Sequence, residues 1–130
     1  MAGDAPGATS ISYPADTDMS SAANAQFLAV QVQPGKNTKG AGQGGATIVP
    51  FDGTGKPVAG ILQSCPRVGD PGTVMTRGIS YCIASGAWEA GDALTAIAGG
   101  HMAKAGGGDV IVGIADQSAV AGDTSTILLK

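Results

Sequence analysis

The chain has 130 residues, a formal net charge of −3 and 22 glycines, but only two Phe, two Tyr and one Trp. This length fits one domain, and the absence of a basic stripe argues against a nucleic-acid partner. Since a core of small aliphatic side chains gives an isolated subunit little stability, we expect association with identical copies or with a larger surface.

Negative charge is concentrated at the start of the chain. Residues 1–25 contain Asp4, Asp16 and Asp18 and no Lys or Arg, which accounts for the whole net charge. These residues are small and polar, so they cannot build a core of their own. The sequence therefore predicts a flexible acidic N-terminal arm followed by a single β-rich domain over residues 26–130.

The compartment is indicated by what the first residues lack. They do not show the charged and then apolar layout of a signal peptide, and the apolar run at residues 27–30 is far too short to span a membrane. We expect a soluble protein made and used in a cytosol, or released by lysis, with no membrane partner. Cys65 and Cys82 are expected to be reduced thiols in that compartment, and a disulfide between them is the alternative.

One segment of the arm, "TSISY", has the pattern of a β-strand. Thr9, Ile11 and Tyr13 alternate with Ser10 and Ser12, which is the period of an extended chain with two different faces. No neighbouring run is close enough to form a hairpin with it. The segment is therefore a candidate for strand addition to the sheet edge of another protein, with a disordered tail as the equal alternative.

The next predicted strand covers residues 27–32, and a Gly-rich segment at residues 34–45 follows it. A phosphate-binding P-loop requires Gly five residues before its Gly-Lys pair and Ser or Thr directly after the Lys. This chain has Val30 and Asn37 at those positions. We interpret the segment as a mobile loop.

From residue 47 onward, short strand patterns alternate with Gly-rich turns every eight to twelve residues or so. This regularity indicates an all-β fold, a small barrel or sandwich of short strands. The predicted strands are residues 47–51, 58–62, 72–77, 79–84, 93–97, 101–105, 109–114 and 124–129.

The chain repeats itself at a distance of 53 positions, since residues 60–77 and 113–130 share Gly-Ile at the start and Gly-Asp nine residues later. Each copy predicts a strand, a turn and a return strand. We interpret Asp70, Asp92 and Asp123, which all follow Gly, as turn residues whose carboxylates accept backbone N–H bonds. A metal site would need convergence of several such segments, so we predict none.

Residues that carry chemistry are few. His101 and Cys82 are the elements of a Cys–His pair, but nothing in the sequence supplies an orienting third residue. Glu89 is the one glutamate, and no His/Cys cluster has zinc spacing. We therefore expect no enzyme and no cofactor. Trp88 lies between predicted strands, either as a plug closing one end of a barrel or as an interface anchor.

The segment "TIVPFDGTGKPVAGILQS" resembles the head decoration proteins of lambda-type tailed phages, and the C-terminal two-thirds is similar to a broader group of small capsid cement proteins. An apolar strand, an aromatic residue, Asp-Gly-Thr, a short turn and a strand with Gly-Ile-Leu carry the likeness. The matching residues are Ile48, Val49, Phe51, Asp52, Gly53, Thr54, Val58, Gly60, Ile61 and Leu62. Phe51 stands where the family more often has Trp.

The resemblance implies a β-rich domain that binds the major capsid protein as a homotrimer on the exterior of an expanded capsid and stabilises it against DNA pressure. It also implies that the arm adds a strand to the capsid protein. The residues of the arm that would do so are Thr9, Ser10, Ile11, Ser12, Tyr13 and Pro14. The alternative is a small β-barrel that binds a carbohydrate or peptide ligand and is displayed on a virion.

Overall fold

The computed structural model describes residues 9–20, 26–34, 46–53 and 55–129, and these residues contain strands, turns and bends but no helix. The predicted all-β class is confirmed. Nine strands follow one another along the chain: β1 Thr9–Pro14, β2 Ala29–Pro34, β3 Ala46–Pro50, β4 Val58–Leu62, β5 Pro71–Ile83, β6 Ala93–Ala96, β7 Met102–Lys104, β8 Gly113–Ala115 and β9 Thr124–Leu129.

The strands form one curled antiparallel sheet in the order β3-β2-β4-β5-β9-β8-β6-β7, with β1 paired to β5 outside this path. The long strand β5 has different partners along its length. Its first part pairs with β1 and β4, and its second part, from Gly78 to Ile83, pairs with β9. β5 therefore connects a half-sheet of β1–β4 with a half-sheet of β6–β9.

Three strand predictions differ from the structure. The sequence predicts separate strands at residues 72–77 and 79–84 because Gly78 lies between the two runs. In the structure, β5 continues through Gly78. This glycine has a φ of 107° and lies at the point where the strands paired with β5 change. The predicted strand at residues 109–114 is wrong for residues 109–112, which precede the short β8 and include the exposed Val110 and Ile111. An apolar run alone does not distinguish a strand from a loop.

The core consists of two clusters of buried side chains, and adjacent residues of β2 and β4 belong to different clusters: Ala29 and Ile61 to the first, Val30 and Leu62 to the second. The first cluster is the larger. It contains Ala29, Ile61, Cys82, Ala84, Trp88, Leu94, Met102, Ala115, Ala119, Ile127 and Leu129. The second cluster contains Ala15, Met19, Val30, Ile48, Leu62 and Val74. As the composition predicts, small aliphatic side chains dominate both.

The sequence repeat is a repeat of hairpins in the same register. In the hairpin of β4 and β5, Ile61 pairs with Met75. In the hairpin of β8 and β9, Ile114 pairs with Leu128, and each of these residues lies 53 positions after its counterpart. The predicted architectural meaning of the repeat is confirmed.

A glycine at the start of each hairpin permits a close approach of the two backbones. A Cβ on Gly60 would meet the carbonyl oxygen of Met75 and lie 2.7 Å from Cγ1 of Val74. A Cβ on Gly113 would meet the carbonyl oxygen of Leu128 and lie 2.8 Å from Cγ1 of Ile127. Neither space admits a methyl group, so the hairpin geometry depends on glycine.

The Gly-Asp pairs form the predicted turns. The predicted carboxylate bond is present at Asp92 and Asp123, which each accept a hydrogen bond from a backbone N–H three residues earlier, at 2.9 and 3.0 Å. The turn at Asp70 is closed instead by its backbone N–H, which donates to the carbonyl of Arg67 at 3.0 Å. Asp109 forms a fourth turn of this kind, which the sequence analysis missed, and accepts a bond of 2.8 Å from the N–H of Gly106. Asp4 and the Gly-rich segment at residues 35–45 lie outside the described residues.

We predict that Gly60→Ala and Gly113→Ala each lower the free energy of unfolding by about 1–3 kcal/mol, because the added methyl group forces the paired strands apart. Chemical denaturation monitored by tryptophan fluorescence measures this change. Gly86→Ala is the matched control, since a Cβ at Gly86 meets nothing within 4 Å. Equal stability of Gly60→Ala and Gly86→Ala would contradict the close-approach argument.

Candidate functional site

The predicted strand of the arm exists, but it has a partner within its own chain. β1 pairs antiparallel with β5, with Ile11 opposite Val74 and Pro14 opposite Pro71. No neighbouring run forms a hairpin with this strand, as predicted, but a distant strand of the same chain pairs with it. The partner lies some sixty residues further along the sequence, so local pattern gave no sign of it.

The residues after β1 close the second core cluster. Ala15 bridges to both Ile48 and Val68, and its N–H donates to the carbonyl of Asp70 at 2.9 Å. Met19 is buried in the same cluster. Residues 9–20 are thus packed on the sheet, while residues 1–8 and 21–25 lie outside the described part of the chain.

β1 presents its first four residues, Thr9–Ser12, to solvent, and Tyr13 packs against the second cluster. β5 is its strand partner among the described residues. None of the residues of β1 is charged, although charged side chains are the usual protection of a sheet edge against further pairing. Directly after β1, the edge that faces away from β5 meets β3, where the N–H of Asp16 donates to the carbonyl of Ile48 at 3.0 Å. The exposed residues Thr9–Ser12 are the part of this edge that is suited to accept another strand.

The strand-turn-strand motif has a structural role. Phe51 packs against the first cluster, and its N–H donates to the carbonyl of Ala29 at 2.9 Å. The N–H of Asp52 donates to Oε1 of Gln31 at 3.1 Å, and Gly53 has a φ of 77°. Thr54 lies outside the described residues.

The remaining motif residues lie in the centre of the molecule. Gly60, Ile61 and Leu62 belong to β4 and are buried, with Ile61 in the first cluster and Leu62 in the second. They join the two clusters and are not available to a partner in this structure. The family-like motif therefore specifies the fold.

Trp88 is a plug within the first cluster. Its side chain is 4% exposed, its Nε1–H donates to the carbonyl of Gln117 at 2.8 Å, and its backbone pairs with Ala119. Of the two interpretations left open by the sequence, this burial favours the plug over the interface anchor. A side chain this deeply buried offers no surface to another protein.

The thiol and the imidazole do not form a reactive pair. Cys82 is 0% exposed and burial raises its pKa to about 12, so its thiol stays neutral at ordinary pH. His101 is on the surface. Cys65 is exposed, and both cysteines are free. The described residues contain no group of three or more His, Cys, Asp or Glu side chains that could hold a metal ion.

An open groove lies between the loop from β3 to β4 and the loop before β8. Phe51, Pro57, Val58, Val110 and Val112 line it together with Lys56 and β6 residues. A carbohydrate site needs aromatic faces combined with several polar groups. This lining is mostly aliphatic, which does not favour the carbohydrate-binding alternative.

A row of exposed apolar residues, which was not predicted from the sequence, crosses the outer face of the second half-sheet. We name Ile79, Leu128 and Ile114 the apolar row. Leu128 of β9 stands directly opposite Ile79 of β5 on one side and Ile114 of β8 on the other. All three are exposed, as is Tyr81, two residues after Ile79 on β5. Alternation in β5 and β9 predicts two faces but not which face is covered.

No family model matches the sequence, and no curated protein matches it. Among solved structures, the fold is similar to the N base of the head fiber gp8.5 of bacteriophage phi29, with a TM-score of 0.66 and 16% sequence identity. The likeness covers 95% of this chain and 94% of that chain. It therefore extends over both half-sheets and shows a shared fold.

Among the described residues, no helix is long and apolar enough to cross a membrane.

We predict that Met19→Ala lowers the free energy of unfolding by about 2–5 kcal/mol, because it leaves a cavity in the second core cluster. Thr17→Ala is the control, since Thr17 is exposed two residues earlier in the same segment. Urea denaturation gives both values. If the two variants were equally stable, residues 15–19 would not close the core as described.

We predict that a maleimide reagent modifies one thiol in the native protein and two in the denatured protein. Cys65 is exposed, whereas Cys82 is buried and protonated. Mass spectrometry at pH 8 counts the adducts, and Cys65→Ser should abolish the native reaction. Rapid double modification of the native protein would show that Cys82 is accessible.

Proposed function

We propose that this protein is a structural component of a phage virion that binds the outer surface of the expanded capsid and stabilises it against the pressure of packaged DNA. Two independent observations support this proposal. The fold is similar to the base of a phage head fiber over 95% of the chain, and residues 47–64 resemble head decoration proteins of lambda-type phages. The fold likeness is the single observation that carries the proposal.

The proposed mechanism is a passive clamp. A homotrimer touches several copies of the major capsid protein at once, so that separation of neighbouring capsid subunits breaks several contacts together. Selectivity for the expanded capsid follows if the complementary surface is present only after expansion. We propose that neither catalysis nor a cofactor takes part, and that the protein resides on the capsid exterior after synthesis in the host cytoplasm.

The outward edge of β1 is the part of the arm that we propose meets the capsid protein. Residues Thr9–Ser12 are exposed and β1 is uncharged, so an extended capsid segment can pair with its backbone. In this form of the proposal, β1 stays on β5 and the capsid strand extends the same sheet. Ala15 and Met19 then remain in the core.

We predict that the protein co-sediments with expanded shells of its parent phage and not with unexpanded shells. The edge variant, which carries both Ser10→Lys and Ser12→Lys, should bind expanded shells at least about tenfold more weakly. Two lysines on an edge strand oppose the pairing of a further strand. Co-sedimentation over a range of protein concentrations gives the affinity for each shell.

The control variant carries Gln117→Lys and Thr124→Lys, which add the same charge at exposed positions of the second half-sheet. It should bind as the unchanged protein does. Equal binding by the edge variant and the control would overturn the role of β1 and leave the capsid function standing. Failure of the unchanged protein to bind either shell would overturn the proposed function itself.

A further inference from the structure

The open groove between the loop from β3 to β4 and the loop before β8 has a second part, which continues along β4 to Thr76 and Leu129. The two parts form one continuous groove because they share four lining residues. These are Pro57, Val58, Val110 and Val112. Val110 is 76% exposed, more than any other large apolar side chain among the described residues. Contiguous exposed apolar surface of this kind usually marks a binding site.

One side of the groove is an edge of β4. β5 pairs with only the last two residues of β4, whereas β2 pairs with β4 as far as Val58. Ala59 lines the groove, and on its β5 side no strand pairs with it among the described residues. The N–H of Gln63 donates to β5 at the carbonyl of Thr73, and every second residue of a strand points to the same side. The N–H and C=O of Ala59 therefore point into the groove, where an extended peptide can pair with them.

The chain enters the described region beside this groove. Thr9 is the first described residue, and its carbonyl oxygen accepts a bond of 3.2 Å from Oγ1 of Thr76. Thr76 itself lines the groove. The eight residues that precede Thr9 in the sequence are therefore attached at one end of the groove.

The length of this segment matches the length of the groove. Gly60 faces the carbonyl of Met75, next to Thr76, so it marks the end where the chain enters. Lys56 lines the other end. Four residues separate Lys56 from Gly60, and five separate Asp4 from Thr9, which are extended lengths of roughly 13 and 17 Å.

The composition of the segment also matches the groove. Residues 1–8 read "MAGDAPGA", in which every side chain except that of Asp4 is apolar or absent. The groove is lined mostly by aliphatic side chains, with the exposed Lys56 at the end that Asp4 can reach. Small apolar residues thus meet an apolar wall, and one carboxylate meets one ammonium group.

We propose that residues 1–8 lie along the open groove as a strap, parallel to residues 56–60, with Asp4 beside Lys56. Ala5 and Pro6 cover Val110, and the backbone of the strap bonds to Ala59. The inference concerns the protein in its free state and does not rest on the proposed function. The strap holds the start of β1 against β5.

The first test is a disulfide between the strap and the wall of the groove. Ala5→Cys and Val110→Cys are combined in the full chain with Cys65→Ser, which removes the exposed native thiol. Under mild oxidation at low protein concentration, an intramolecular disulfide should form because the strap holds the two thiols within bonding distance. Peptide mapping by mass spectrometry measures its rate of formation.

The matched control pairs Ala5→Cys with Ile79→Cys. Ile79 is 48% exposed and follows Arg77, the partner of Thr9, by two residues, so a segment that swings freely from Thr9 reaches it too. The Val110 pair should react at least about tenfold faster than this control. Equal rates would overturn the inference. A disulfide between two molecules would also overturn it, because the segment in the groove would then belong to a second copy.

The second test measures how the strap protects the groove. Val110→Cys, with Cys65→Ser, reports its accessibility through its rate of reaction with a maleimide. Adding Pro6→Asp and Ala8→Asp should raise this rate at least about fivefold, because carboxylates do not stay against an aliphatic wall.

The control for this test adds the same two charges as Gln117→Asp and Thr124→Asp, at exposed positions outside the groove. It should leave the rate unchanged, and circular dichroism verifies that both proteins are folded. An equal rate in the folded strap variant and the control would show that residues 1–8 do not cover Val110.

The third test concerns the charge pair. Asp4→Lys and Lys56→Asp should each raise the reaction rate of the Val110→Cys thiol about threefold, which is the scale of an exposed ion pair. The double variant should return the rate to its original value, since the opposite charges then face each other in exchanged positions. A double variant no slower than the single variants would overturn the assigned register of the strap.

Discussion

The fold depends on one strand that belongs to two half-sheets. β5 has thirteen residues, and it contributes Val74 to the second cluster and Cys82 to the first. β1 and β4 pair with its beginning and β9 pairs with its end. Both half-sheets contribute side chains to the first cluster, among them Ile61 of β4 and Ile127 of β9, so the two half-sheets share one core.

The duplicated hairpin shows how one local structure serves two purposes. Both copies require glycine at the point of closest backbone approach, at Gly60 and Gly113, since in each case the carbonyl of the facing strand occupies the space of a Cβ. The constraint is the same, yet the first hairpin is covered on both faces, with Ile61 in the first cluster and Leu62 in the second, whereas the second hairpin has Ile127 buried on one face and Leu128 exposed on the other. Duplication therefore supplied both a core element and an apolar surface.

Local chemistry in the sequence predicted local structure well. Alternation located β1 and β9, and the Gly-Asp pairs located turns because glycine and aspartate act within four residues. Long-range partners were not predictable. Nothing near β1 indicates β5, and the choice between plug and anchor for Trp88 depended on Gln117 and Ala119, about thirty residues away. Which face of the β8–β9 hairpin is exposed is likewise a property of the whole sheet.

The pairing of β5 with both β1 and β9 also brings the two ends of the described chain together. Thr9 stands opposite Arg77 and Leu129 opposite Gly78, so these terminal residues lie within roughly 15 Å of each other. The backbone is topologically close to a ring. A circular permutant that joins these ends through a short linker and opens the chain at the exposed turn of residues 106–109 would retain every strand pairing. The order of the strands in the gene is thus separable from their order in the sheet.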